Sequence, residues 1–196
     1  AIYFEENAEN WDKIRSLYVP EKEVEDFLLQ EIKGKEINDL LDVGTGTGRM
    51  LELFSEHAEH GIGIDLSREM LAIARSQLEN KNIDHMQVRQ GDMYDLALDD
   101  QSMDLVIFHQ VLHFADDPLA AIKETARILR YNGCVMIVDF LPHKFEKLRD
   151  EHAHRRLGFS DTEVSEWCKA TGLNLTKTEI MKGSELDIAI WIAYKN

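Results

Sequence analysis

The sequence predicts an α/β fold: a doubly wound, mostly parallel seven-stranded sheet with an antiparallel edge hairpin. Three observations carry that expectation. Short apolar runs alternate with helical periodicities through the core of the chain. A glycine-rich turn, Gly44-Thr45-Gly46-Thr47-Gly48, separates the first apolar run from the helical pattern after it. The last two strand patterns, near 173–180 and 186–194, are joined by a short connection holding Lys182-Gly183-Ser184.

The elements follow in order. Residues 1–33 are helical and amphipathic, with Trp11, Ile14, Leu17, Val24, Phe27, Leu28 and Ile32 recurring at helical intervals. Pro20 divides this segment into two helices. A strand at 39–43 leads through the glycine turn to a helix at 48–57, then a strand at 61–65. Ser67 is the expected N-cap of a helix at 67–79, with Met70, Leu71 and Ile73 turned inward. Strands at 86–89 and 103–108, a helix at 117–130, a strand at 133–139 and a helix at 160–171 precede the terminal hairpin. Repeats and low-complexity linkers are missing from this pattern, so residues 1–196 are expected to form a single domain.

Composition narrows the function. A chain of 196 residues is long enough for one substantial core. Its formal charge of −15 opposes binding a polyanion, so no direct nucleic-acid partner is expected. No apolar run approaches the ~20 residues that cross a bilayer, and the acidic start after Ala1 does not suit a signal peptide. Cys134 and Cys168 lack C-x-x-C or zinc spacing and are expected to be reduced core thiols of a cytoplasmic protein.

The glycine turn is the first candidate site. Leu40-Leu41-Asp42-Val43 has the character of a buried strand, and glycines let the backbone approach a ligand where a Cβ would collide. The spacing is G-x-G-x-G, with Arg49 where a dinucleotide fingerprint requires its third glycine. No phosphate-cradling lysine follows, which excludes a P-loop. A nucleotide-like ligand without a pyrophosphate fits best, and S-adenosylmethionine leads; a ligand-free strand-to-helix turn is the alternative. Asp65 ends the second strand roughly 20 residues past the turn, where a carboxylate accepts from both ribose hydroxyls. Asp92 follows the third strand, placed for an adenine amino group, with the neighbouring amide near a ring nitrogen. His109 ends the fourth. Taken singly, Asp65 and Asp92 also suit helix caps; together these strand ends occupy the edge where open α/β sheets bind ligands.

Over roughly residues 37–140 the chain resembles class I S-adenosylmethionine-dependent methyltransferases, and within them the ubiquinone/menaquinone C-methyltransferase branch. It is more closely similar to methyltransferase domains fused to ArsR-type winged-helix regulators. That likeness lies in Trp11-Asp12-Lys13-Ile14-Arg15, Val88-Arg89-Gln90-Gly91-Asp92, His109-Gln110-Val111-Leu112-His113-Phe114 and His152-Ala153-His154-Arg155-Arg156-Leu157-Gly158-Phe159. The resemblance implies a Rossmann-like methyltransferase fold, S-adenosyl-L-methionine as cofactor and S-adenosyl-L-homocysteine as product. Asp42, Gly44, Thr45, Gly46 and Gly48 then hold the methionine part, Asp65 the ribose, and Asp92 with Met93 the adenine. Leu66, Met70 and His109 complete the expected cofactor set. Trp11 and Arg15 share a helical face and form an expected lid, with Arg15 on the cofactor carboxylate; core packing by Trp11 is the alternative. Neither a Pro-Cys nucleophile nor a Pro-Pro-aromatic motif of nucleic-acid methyltransferases is present, so the expected partner is a small-molecule acceptor.

The segment 142–158 is the least routine part. Five basic and three acidic side chains make it net positive inside an acidic chain. It is expected to cover the acceptor side of the sheet, with His154 and Arg156 as candidate catalytic groups; a solvated helix is the alternative. His109 is the first candidate base, with His113, His143, His152 and His154 as rivals. The i, i+4 pair His109 and His113 lacks an inner glutamate and a third ligand, so no metal is expected. A winged-helix regulator domain or a second copy are the further partners implied. A sensor of S-adenosylmethionine without turnover is the second reading. A nicotinamide oxidoreductase is opposed by Arg49.

Overall fold

The computed structural model describes residues 21–144, 155–183 and 186–196. The order is α1 (Glu21–Ile32), β1 (Asp39–Val43), α2 (Arg49–Phe54), β2 (His60–Asp65), α3 (Arg68–Asn80), β3 (Met86–Gln90) and β4 (Met103–His109). A 3₁₀ turn at Leu112–Phe114 precedes α4 (Pro118–Ile128), β5 (Leu129–Phe140), α5 (Asp161–Ala170), β6 (Leu173–Met181) and β7 (Ile188–Lys195). The strands form one seven-stranded sheet in the order β3-β2-β1-β4-β5-β7-β6. The first five run parallel, and β7 lies antiparallel between β5 and β6. The expected architecture is therefore present, edge hairpin included.

Both faces of the sheet are covered, which explains why its central strands read as continuous apolar runs rather than alternating ones. Along β5, Cys134, Met136 and Val138 join one core with Val24 and Leu28 of α1 and Phe54 of α2. The intervening Val135 and Ile137 join the other with Ile122 of α4 and Val164 of α5. In β7 the same period of two sends Ile190 and Ile192 to the first core and the fully buried Trp191 to the second. The Trp191 indole donates to Asp161 Oδ1 at 2.7 Å, so its burial leaves no orphaned N–H.

Local signals placed the helix starts well. Ser67 caps α3 by accepting from the Met70 amide, and Ser160 with Glu163 forms a complete capping box on α5. Other expectations need correction. Ala74 and Leu78, not Ile73, complete the inner face of α3; Ile73 is only half-buried. Helix α2 closes at Phe54, where the Ser55 hydroxyl donates to the Glu52 carbonyl and competes with further helix. Helix α4 ends at Ile128 because the Lys195 ammonium, from the far end of the chain, donates to the carbonyls of Ala126 and Leu129. Strand β5 consequently starts at Leu129, with a register shift opposite Met103 and Leu105 and a left-handed Asn132. Arg49, the residue that breaks the dinucleotide fingerprint, has a structural task. Its guanidinium grips the Glu25 carboxylate with two hydrogen bonds of 2.7 and 2.6 Å, tying α2 to α1.

Candidate functional site

A cavity of about 420 Å³ opens at the carboxyl ends of β1, β2, β3 and β4. The topology dictates its place. The chain crosses from the β1 side of the sheet to β4, so the helices that follow these strands diverge and leave a crevice at the switch point.

The turn after β1 forms the floor. Gly44 has φ of 71°, a left-handed value that side chains with a Cβ resist. A Cβ there would also lie 2.2 Å from Val111 Cγ2, so the absence of a side chain lets the β4–α4 loop close on the β1 turn. The amides of Gly44 and Thr45 both donate to the Ile64 carbonyl at 2.8 Å, anchoring the turn to β2. The Asp65 carboxylate completes that anchor, accepting from the Gly46 amide through Oδ2 and from the Ser67 amide through Oδ1, each at 2.9 Å. Burial pushes the Asp65 carboxyl above its ordinary range, and amide hydrogen bonds from Ser67, Gly46 and Leu66 hold it down in part.

Four carboxylates line the cavity: Asp42 from β1, Asp65 from β2, Asp92 after β3 and Asp116 before α4. Asp42 is 1% exposed, held at the buried end of its strand. Asp92 accepts from the Tyr94 amide through one oxygen at 3.0 Å. Among the described residues the one lysine or arginine in the wall is Arg155. Such a row accepts hydrogen bonds from hydroxyls and amines and balances a positive charge. Leu66, 60% exposed, and Met93 add apolar surface to the cavity wall.

Of the residues expected from sequence to hold the cofactor, Asp42, Gly44, Thr45, Gly46, Asp65, Leu66, Met70, Asp92, Met93 and His109 meet in this one wall. Gly48 does not. It begins α2 with φ of 85° and packs against Ala74, where a Cβ would come within 3.1 Å of the alanine Cβ. The lid residues Trp11 and Arg15, and the candidates His152 and His154, lie outside the described residues.

Two further expectations are corrected. Arg156 is absent from the cavity wall: its guanidinium pairs with Glu163 of α5 at 2.5 Å and lies over the Phe159 ring. Its neighbour Arg155 faces the cavity instead and pairs with Asp116. His113 is not a cavity group either. Its Nδ1 donates to Asp139 Oδ1 at 2.7 Å and its amide to Oδ2 at 3.2 Å, with both residues buried. The His113 carbonyl accepts from the Arg155 and Arg156 amides at 3.0 Å. His113 is thus a tie between the β4–α4 loop, the end of β5 and the segment before α5.

Met50, Tyr94, Gln110, Val111, Phe114 and Asp116 also line the cavity and were not expected from sequence as site residues, although Gln110, Val111 and Phe114 belong to a motif that carries the resemblance. Tyr94 had no motif to mark it, yet its hydroxyl accepts from the amides of Asp116 and Asp117 at 2.7 and 3.2 Å, joining the β3–β4 and β4–α4 loops. Gln110 carried a usable signal, its position at the end of an apolar strand between two residues already under suspicion.

Residues 41–137 match a family described as a methyltransferase domain. YcgJ of Bacillus subtilis (strain 168), called an uncharacterized methyltransferase, is 30% identical over 139 residues, or 65% of this chain and 53% of that protein. The phosphatidylethanolamine N-methyltransferase of Cereibacter sphaeroides is 37% identical over 101 residues, or 51% of this chain and 49% of that protein. The chain thus spans about half the length of these curated relatives. A solved structure of geranyl diphosphate C-methyltransferase from Streptomyces coelicolor A3(2), with Mg²⁺, geranyl diphosphate and S-adenosyl-L-homocysteine, is similar with a TM-score of 0.77 at 14% identity. That likeness covers 90% of this chain and 79% of the other, and is one of fold. The narrower likeness to regulator-fused and quinone-methylating branches rests on sequence alone.

Proposed function

We infer that this chain, which belongs to the class I S-adenosylmethionine-dependent methyltransferases, moves a methyl group to a small-molecule acceptor in line with the breaking S–CH₃ bond. The observation that carries the reading is the row Asp42, Asp65 and Asp92 at successive strand ends around one cavity floored by a left-handed glycine turn. The residues suit S-adenosylmethionine. Asp65 is an acceptor for ribose hydroxyls, Asp92 for an adenine amino group and Asp42 for an ammonium group, while Leu66 and Met93 offer apolar surface to a purine. When bound, the cofactor supplies an electrophilic methyl group on a sulfonium whose leaving group departs neutral.

The protein's own part is to bind, align and exclude water. Holding acceptor and methyl group in line can lower the barrier by up to ~7–11 kcal/mol. His109, buried at the end of β4 in the cavity wall, is the proposed base for an acceptor that loses a proton on methylation. A domain that only senses the cofactor needs no more than the β1–β3 half of this cavity. The further wall of Val111, Phe114 and Ala115 favours turnover.

Calorimetry with S-adenosylhomocysteine and with NADH tests the cofactor, and labelled S-adenosylmethionine incubated with a cell metabolite extract tests transfer. Binding of S-adenosylhomocysteine and label in a small molecule are expected. Preference for NADH sinks the reading.

A further inference from the structure

We propose that Gln110 binds the methyl acceptor, donating from Nε2 to a carbonyl, carboxylate or phenolate oxygen on it; this rests on the methyltransferase reading above. Gln110 follows directly after β4 and is 6% exposed. Its carboxamide nitrogen is buried and has no hydrogen-bond partner among the described residues, although the residue lines the cavity. A buried amide left so is expensive and calls for a partner from outside the chain. The backbone adds a second, independent sign. Gln110 has φ of 55°, held there by its amide donating to the Val138 carbonyl at 2.8 Å. Glutamine in the left-handed region is uncommon, and such strained positions cluster where a side chain must be aimed at a ligand.

The sheet order separates this amide from the cofactor groups. Strands β3, β2 and β1 lie on one side, with Asp92, Asp65 and Asp42 at their ends, and β4 lies beyond β1. A further buried polar atom of the wall, Thr45 Oγ1, belongs to the β1 side. It fills the space that a side chain on Gly63 would need, at 2.6 Å from that Cβ position. Beside Gln110 the wall carries His109 and the apolar Val111, Phe114 and Ala115, with Arg155 at the rim. The negative charge of Asp116 is offset there by its pair with Arg155. A largely apolar wall that holds one buried amide donor beside His109 selects a small, largely apolar molecule bearing an acceptor oxygen. An analogue without that oxygen leaves the amide unpaired and is rejected.

The test uses the protein saturated with S-adenosylhomocysteine, titrated in a calorimeter with benzoate, benzamide and benzylamine. Benzoate or benzamide is expected to bind and benzylamine to fail. In Gln110→Leu the affinity for the binding probe should fall at least tenfold, while S-adenosylhomocysteine affinity stays within twofold. Gln110→Asn keeps an amide that tolerates the left-handed region but shortens its reach, and should show the same loss if the leucine variant does not fold. Equal probe affinity in the variants overturns the proposal. So does a tenfold loss of S-adenosylhomocysteine affinity, which places Gln110 with the cofactor, and so does failure of both oxygen probes at millimolar concentration. A parent protein that does not bind S-adenosylhomocysteine overturns the methyltransferase reading itself.

Discussion

The Asp65 carboxylate at the end of β2 accepts the amide of Gly46 at 2.9 Å, so the residue suited to hold a ribose also holds the glycine turn in shape. The same side chain accepts the Ser67 amide at 2.9 Å, at the cap of α3. Three parts of the site therefore depend on one carboxylate.

Asp65→Ala removes the acceptor for two ligand hydroxyls and loosens the turn. Each charge-assisted bond is worth ~1.5–3 kcal/mol, so S-adenosylhomocysteine affinity should fall by roughly tenfold or more in calorimetry. Affinity equal to the parent's rules out the ribose role.

The raised position of the Asp65 carboxyl, caused first by burial, gives that affinity a pH dependence. Hydroxyl donors favour the ionised form, so binding releases a proton where the unliganded group is protonated. Affinity should be full above the unliganded pKa and decline as pH drops through it, starting at higher pH than an ordinary aspartate allows. Stability of the unliganded protein runs the other way. A carboxyl raised by folding contributes stability below its unfolded pKa and loses it as pH rises. Asp65→Asn should flatten both curves; an unchanged affinity profile in that variant assigns the titration elsewhere.

Gly44→Ala should destabilise the fold by about 1–3 kcal/mol through its left-handed backbone alone, with φ of 71°. The clash with Val111 adds an overpacking cost of similar size, about 1–3 kcal/mol. Urea denaturation of Gly44→Ala combined with Val111→Ala should recover only the part of the clash made by the valine methyl groups, since the Val111 Cβ itself lies 2.8 Å from the new Cβ. Full recovery to the level of Val111→Ala shows that backbone strain contributes nothing.

Adjacent arginines should separate cleanly. Arg156 and Glu163 are both more than a third exposed, so Arg156→Ala should cost at most about 1 kcal/mol in stability and leave S-adenosylhomocysteine affinity within twofold. Arg155→Ala, which removes the basic group of the described cavity wall, should weaken benzoate binding more than benzamide binding. Equal effects on the two probes show that its charge does not reach the acceptor.

The sequence by itself determined the features that depend on neighbours along the chain. Continuous apolar runs separated by helical patterns specified parallel strands covered on both faces, and Ser67 marked a helix start through a contact within three residues. The G-x-G-x-G turn with Asp65 and Asp92 pointed to the edge of the sheet where the cavity lies, because strand ends and turns set those positions locally. Tertiary structure decided what local spacing leaves open. Arg155 and Arg156 are chemically equal in sequence. One meets Asp116, 39 positions earlier, and the other Glu163, seven positions later on α5. His113 resembles a pocket or metal residue until Asp139 arrives from β5, 26 positions away, to take both its Nδ1 proton and its amide. The end of α4 depended on a lysine 69 positions beyond Ala126. Gln110 became a candidate only when the folded loop buried its amide without a partner among the described residues. Periodicity and capping act over a few residues, whereas burial and pairing of a polar side chain depend on which distant strand or helix packs beside it.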